Sequence, residues 1–164
     1  MIRAAPVAET ATALIQRHAN GMVELCFKPA AFETAETAWA NVRAVRELLP
    51  EPAEREAGEG LRPALPPLLL DLRGIAGVDP LARVCYLSPL GAAGSALALV
   101  ADSPVSTLFG GFFMTKSRRH RPAQLFATRR QAAAWLEQFI ALDEIAPPPV
   151  EPAADTEGGA PCTF

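Results

Sequence analysis

Two carboxylates bracket the turn of this sequence that is best placed for chemistry. Asp71 ends the apolar run Leu68-Leu69-Leu70, and Asp79 stands directly before Pro80. Held side by side, one could donate a proton while the other accepts one, as in general acid–base catalysis. Each also has a sufficient structural task. Asp71 can accept backbone N–H groups of the turn after it. Asp79 can cap a helix that Pro80 opens, because proline suits a first helical position. Ser103-Pro104 repeats the cap-plus-proline device. Asp71, Asp79, Pro80 and Ser103 therefore read as a helix-start region, and no catalytic residue is assigned among them.

Two further groups of residues invite a ligand. Phe109-Gly110-Gly111-Phe112-Phe113 lies in a helical pattern, where each glycine costs about 1 kcal/mol relative to alanine. The glycines either mark a cap or a close packing contact, or they leave an apolar groove that a ligand or partner enters. The expectation is that Phe109, Gly110, Gly111, Phe112 and Phe113 make that contact. Lys116, Arg118, Arg119, His120 and Arg121 form a compact basic cluster. It is either a solvated loop or a site for an anion, an acidic partner or the chain's own Glu151–Glu157 segment. No aromatic residue is interleaved within it and the net charge is −3, so nucleic acid is not expected.

Other chemistry finds little footing. The two histidines, His18 and His120, lie far from any cysteine or carboxylate cluster at metal-ligand spacing, so no metal or cofactor is expected. Cys26, Cys85 and Cys162 are odd in number and widely spaced, and form neither a metal motif nor a disulfide framework; Cys26, in a strand pattern, and Cys85, in a helix pattern, read as buried, reduced thiols. Ser88, Ser103, Ser106 and Ser117 lack the strand-to-helix context of a nucleophile elbow. No apolar run approaches the roughly 20 residues that span a bilayer, and no apolar h-region is read near the start. The expectation is a cytoplasmic protein without an integral membrane segment.

The elements that must position these residues follow from periodicity. Ala13–Arg17 and Met22–Phe27 flank Asn20-Gly21, a hairpin signal. A helix from Thr34 to about Leu49 carries Ala38, Val42 and Val45 on one stripe. The Pro- and Glu-rich stretch 50–67 reads as a flexible insertion. Then come a buried strand at Leu68–Leu72, a helix from Pro80 to Leu87, a strand at Ser95–Ala101 and a helix from Ser103 to about Met114. A short strand at Gln124–Phe126 and a helix capped by Thr128 complete the domain. The order ββαβαβαβα predicts a single α/β domain over 11–145, with a mostly parallel sheet and an N-terminal antiparallel hairpin. Residues 1–10 read as a flexible lead-in and 146–164 as a disordered acidic tail.

This order, and Leu68–Pro80 in particular, resembles the STAS fold of the sporulation anti-sigma-factor antagonists (SpoIIAA-like). In that family the helix after the diagnostic strand begins with Asp and then the serine that a partner kinase phosphorylates. Asp79 matches the Asp, but Pro80 stands where the serine should be, so the kinase switch does not carry over. A closer resemblance is to an uncharacterised bacterial STAS-like or lipid-transfer-like group. It rests on Val100-Ala101-Asp102-Ser103-Pro104-Val105-Ser106, Gly110 with Phe112-Phe113, Leu125-Phe126-Ala127-Thr128 and Ala134-Trp135-Leu136, and covers about Ala11 to Ile140. The resemblance implies a fold and no established activity. The leading expectation is a non-enzymatic cytoplasmic regulatory or interaction module with a protein partner or a second copy of itself. The alternative is a binder of a small apolar or lipid-like ligand held between the helices at Pro80–Leu87 and Ser103–Met114, and an enzyme of unknown type comes third.

Overall fold

The computed structural model describes residues 7–49, 65–87, 94–119 and 121–144. The expectations for residues 1–6, for 50–64 of the insertion, for Ser88, for His120 and for 145–164 with Cys162 lie outside the described residues. In chain order the elements are β1 (Val7–Glu9), β2 (Ala13–Arg17), β3 (Val23–Phe27), β4 (Ala31–Glu33), α1 (Ala35–Glu47), β5 (Leu68–Asp71), β6 (Ile75–Val78), α2 (Pro80–Leu87), β7 (Leu97–Val100), α3 (Pro104–Ser117), β8 (Ala123–Phe126) and α4 (Arg129–Glu144). The main sheet has the order β1-β2-β3-β5-β7-β8. Its first three strands are antiparallel, and β3, β5, β7 and β8 are parallel.

Register assigns every strand residue a face. Ile15, Leu25, Leu70, Leu99 and Leu125 stand opposite one another across five strands. They lie under α1, α2 and α3, where Ala38, Val42, Val45, Ala82, Tyr86, Phe109 and Phe113 complete the larger core. On the other face Leu69, Ala98 and Val100 meet Ala132 and Leu136 of α4. Both faces of β5 and β7 are thus buried, which is why their sequences are apolar without alternation.

The helices begin where their caps require. Thr34 and Thr37 form a reciprocal capping box at α1, and Ser103 and Ser106 form one at α3 with Pro104 next in line. Thr128 Oγ1 accepts the Gln131 N–H at the start of α4. At the β2–β3 hairpin Gly21 has φ of 89° while Asn20 keeps negative φ, so the glycine alone supplies the left-handed residue.

Three short strands were not legible from periodicity. Val7–Glu9, read as lead-in, pairs with β2 as an edge strand. Ala31–Glu33 and Ile75–Val78 pair in parallel as a separate two-stranded sheet. At three or four residues each, they are too short for an alternation to declare itself. Also, α3 runs through its glycine pair to Ser117, three residues beyond the expected end.

Candidate functional site

The parallel strands end at one side of the sheet, and residues at and just past the ends of β3, β5 and β7 line a cleft of about 480 Å³ with Cys26, Phe27, Asp71, Arg73 and Asp102 in its wall. Asp71 is 2% exposed. Its Oδ1 accepts from the Arg73 backbone N–H at 3.2 Å, which is the turn role expected of it. The Arg73 side chain adds a fork, Nε to Oδ1 at 2.9 Å and Nη2 to Oδ2 at 2.6 Å. That pairing pushes the guanidinium above its ordinary range. Cys26 is half-buried beside this pair. Burial, and then the carboxylates of Asp71 and Glu24, push its thiol up to about 11. Near neutral pH it stays protonated and is a poor nucleophile.

Asp79 is occupied elsewhere. Its Oδ1 accepts the Leu81 N–H at 2.8 Å, the N-cap contact, with Pro80 exposed at the first helical position. Asp71 faces Arg73 and Asp79 faces a helix end, so the two acids that sequence placed near one another form no working pair.

Two buried carboxylates escaped the sequence reading. Glu24, on β3, is 2% exposed. Its carboxylate accepts Arg129 Nε and, at 2.6 Å, Arg129 Nη2. Gln16 Nε2 donates to it at 3.0 Å, and His18 Nε2 lies 2.6 Å away. Burial alone would raise this carboxyl, but the hydrogen bonds from Arg129, Gln16 and His18 outweigh it and bring it down to about 2. Glu33, on β4, is fully buried; it accepts from Tyr86 Oη at 2.5 Å, Thr37 Oγ1 at 3.1 Å and Asn41 Nδ2 at 3.3 Å. Burial and the Glu33 carboxylate push the Tyr86 phenol above its usual range. Glu24 alternates with Val23 and Leu25 along β3, which sets it on the other face of the strand. Only the register, which sets it opposite Leu69 near the first turn of α4, shows that this face is covered.

The aromatic segment is placed differently from the expectation. Phe109 and Phe113 are 3% and 1% exposed, and pack against Tyr86 with ring centroids 5.9 and 6.1 Å away. Gly110 is buried; a Cβ there would come within 3.0 Å of Leu125 and 3.4 Å of Leu72. These three residues are core, and the glycine lets α3 approach the sheet. The same rings meet Tyr86 of α2 between the two helices. Gly111 faces open space. Phe112 is half-buried beneath Arg83, whose guanidinium lies 4.8 Å from the ring centroid.

What α2 and α3 present outward is aliphatic. Leu81 is 65% exposed, Val84 63%, Leu108 64% and Val105 41%. Leu81 and Val84 share one stripe of α2, and Val105, Leu108 and Phe112 share one of α3 at i, i+3 and i+7. The two helices lie side by side. At the far end of α3, Lys116, Arg118 and Arg119 are exposed. Arg121, grouped with them from sequence, is instead buried, with Nη1 donating to the Gly94 carbonyl at 3.3 Å. Burial brings its guanidinium down to about 10. It closes the start of β8 and does not join the basic surface. A sequence signal for the aliphatic face did exist. Arg83 is the only charged residue in Pro80–Leu87, and a helix that is apolar nearly all round is covered on more than one side.

With this geometry in place, comparison with known proteins bears on the fold. Residues 64–140 match the model of a domain of unknown function (DUF7793). No curated protein matches the sequence. Among solved structures, an anti-sigma factor antagonist from Mycobacterium paratuberculosis is similar over 77% of this chain and 93% of its own, with 17% identity and a TM-score of 0.52. An uncharacterised DUF3478-family protein with a SpoIIAA-like fold, from Shewanella loihica, is similar over 81% and 92% with 12% identity and a TM-score of 0.49. The chain has a STAS-like α/β fold.

Proposed function

We propose that this protein is a non-enzymatic regulatory module that works by docking a protein partner on the outer face of α2 and α3. The observation that carries the reading is the exposure of Leu81, Val84, Val105 and Leu108 on two adjacent helices. Single exposed aliphatics are ordinary, but a cluster on neighbouring elements marks an interaction surface. The fold supports a regulatory role, since a solved protein of the same architecture is an anti-sigma factor antagonist. Pro80 supports a form of regulation without phosphorylation at the start of α2, because proline has no hydroxyl. The groups in the strand-end cleft favour binding over catalysis. Asp71 is held by Arg73, and the Cys26 thiol is held protonated. The unpaired thiols of Cys26 and Cys85 suit the cytoplasm.

Size-exclusion chromatography of native extract, followed by detection of this chain, tests the reading. The wild type should elute in a species larger than a monomer. The Leu81→Asp/Leu108→Asp variant should elute as a monomer with an unchanged circular dichroism spectrum. Co-elution of variant and wild type would show that the face docks nothing.

A further inference from the structure

The docking face is charged as unevenly as it is exposed. Residues 80–87 and 104–119 hold Arg83, Lys116, Arg118 and Arg119 and not one Asp or Glu, in a chain whose net charge is −3. Among the described residues, no carboxylate lies within ion-pair distance of Lys116, Arg118 or Arg119. These three cluster at the C-terminal end of α3, Lys116 in its last turn and Arg118 and Arg119 just after it, before β8. The carboxylates nearest to these helices in sequence, Asp79 and Asp102, stand before their N-termini, ahead of Pro80 and Ser103. Along α3 the surface therefore runs from Asp102, exposed just before the Ser103 cap, past Val105 and Leu108, to a basic end.

We infer that the partner segment is an amphipathic helix with an apolar stripe and carboxylates gathered at one end. Its stripe meets Leu81, Val84, Val105 and Leu108, and its carboxylates lie over Lys116, Arg118 and Arg119. This inference rests on the reading of α2–α3 as a docking surface and adds the chemistry of the occupant. An apolar stripe at i, i+3, i+4 and i+7 is what a helix offers to an exposed aliphatic face. Complementary charge at the rim then fixes its direction. A flat anionic bilayer fits less well. Pressed along α3 from its start to its basic end, it would also approach Asp102, exposed just before Ser103, and like charges repel. A helix can put its acids at one end only.

A display library of helical peptides tests this on the full chain. The peptides carry a fixed leucine stripe, with the remaining positions drawn from Glu, Lys, Gln and Ser. Selection should enrich Glu at one end of the peptide. The best Glu peptide should bind about tenfold more tightly than its Lys counterpart at low salt, and the preference should shrink as salt rises. Lys116→Glu/Arg118→Glu/Arg119→Glu, all at exposed positions, should invert the preference while keeping a native circular dichroism spectrum. Enrichment without charge preference, enrichment of Lys, or no enrichment would each overturn the acidic partner. So would co-sedimentation with phosphatidylglycerol vesicles that the charge reversal abolishes. A self-association that Leu108→Asp dissolves would assign the face to a second copy. Selection that succeeds only after removal of residues 147–164 would assign it to the chain's own acidic segment. Either result would overturn the inference. If Leu81→Asp/Leu108→Asp breaks up the cellular complex and the library still shows no preference for Glu, the docking face stands and only the chemistry of its occupant falls.

Discussion

Glu24 ties α4 to the sheet, and its protonation sets how that tie depends on pH. Its carboxylate is held near 2, below the ordinary value of 4.5, by Arg129, Gln16 and His18 acting against burial. A folded value below the unfolded one gives stability that is fully present above about pH 4.5. That stability is lost as pH falls towards about 2. Urea unfolding followed between pH 6 and 3 should show the wild type weakening across this window. Glu24→Gln should be less stable at neutral pH and flatter below it, because its amide cannot ionise and leaves Arg129 and His18 without their anion. Asp79 is a simpler case. Asp79→Ala should cost about 1 kcal/mol in urea unfolding, the ordinary loss for an N-cap. Sequence was enough to assign Asp79 its cap and Asp71 its turn, because both roles are set within two or three residues. It could not show that Glu24 and Glu33 are buried. Their covers, Arg129 and Tyr86, lie 105 and 53 residues away in the chain.

α3 shows what a pair of glycines can and cannot mean within one helix. Gly110 faces Leu125 and Leu72 at close range, whereas Gly111 faces open space. Both sit in helical backbone, so alanine gains up to about 1 kcal/mol of propensity wherever its methyl group has room. Gly111→Ala should therefore raise stability by nearly that amount in thermal or urea unfolding. Gly110→Ala should gain less or lose, since Leu125 must shift to admit it. Equal gains from both substitutions would mean that α3 does not lie as close to the sheet as described. The elements with caps and long stripes were legible in sequence: α1 from Thr34, α3 from Ser103-Pro104, α4 from Thr128. The edge strand β1 and the β4–β6 pair were not, because each owes its conformation to a neighbour rather than to its own pattern.

For the molecule as a whole, element order was enough to read a STAS-like sheet, because alternating strands and helices admit few right-handed topologies. The working surface was harder to read. Sequence pointed to the phenylalanines of α3, the most apolar and most conspicuous residues there, and two of the three belong to the core. Leu81, Val84, Val105 and Leu108 look like core residues in the sequence and lie outside it in the structure. Hydrophobicity says that a residue will be covered, and only the packing of α2 and α3 on the sheet says whether this chain or another does the covering.

Site-specific photo-cross-linking in the cell tests that distinction most directly. A benzophenone side chain placed at Leu108 or Val84 projects from the α2–α3 face, and one at Glu137 projects from the exposed side of α4. The docking reading predicts a discrete cross-linked species at Leu108 and Val84, its absence at Glu137, and its loss when Leu81→Asp is added. Equal labelling at all three positions, or none at Leu108 and Val84, would contradict it and leave the aliphatic face as ordinary surface.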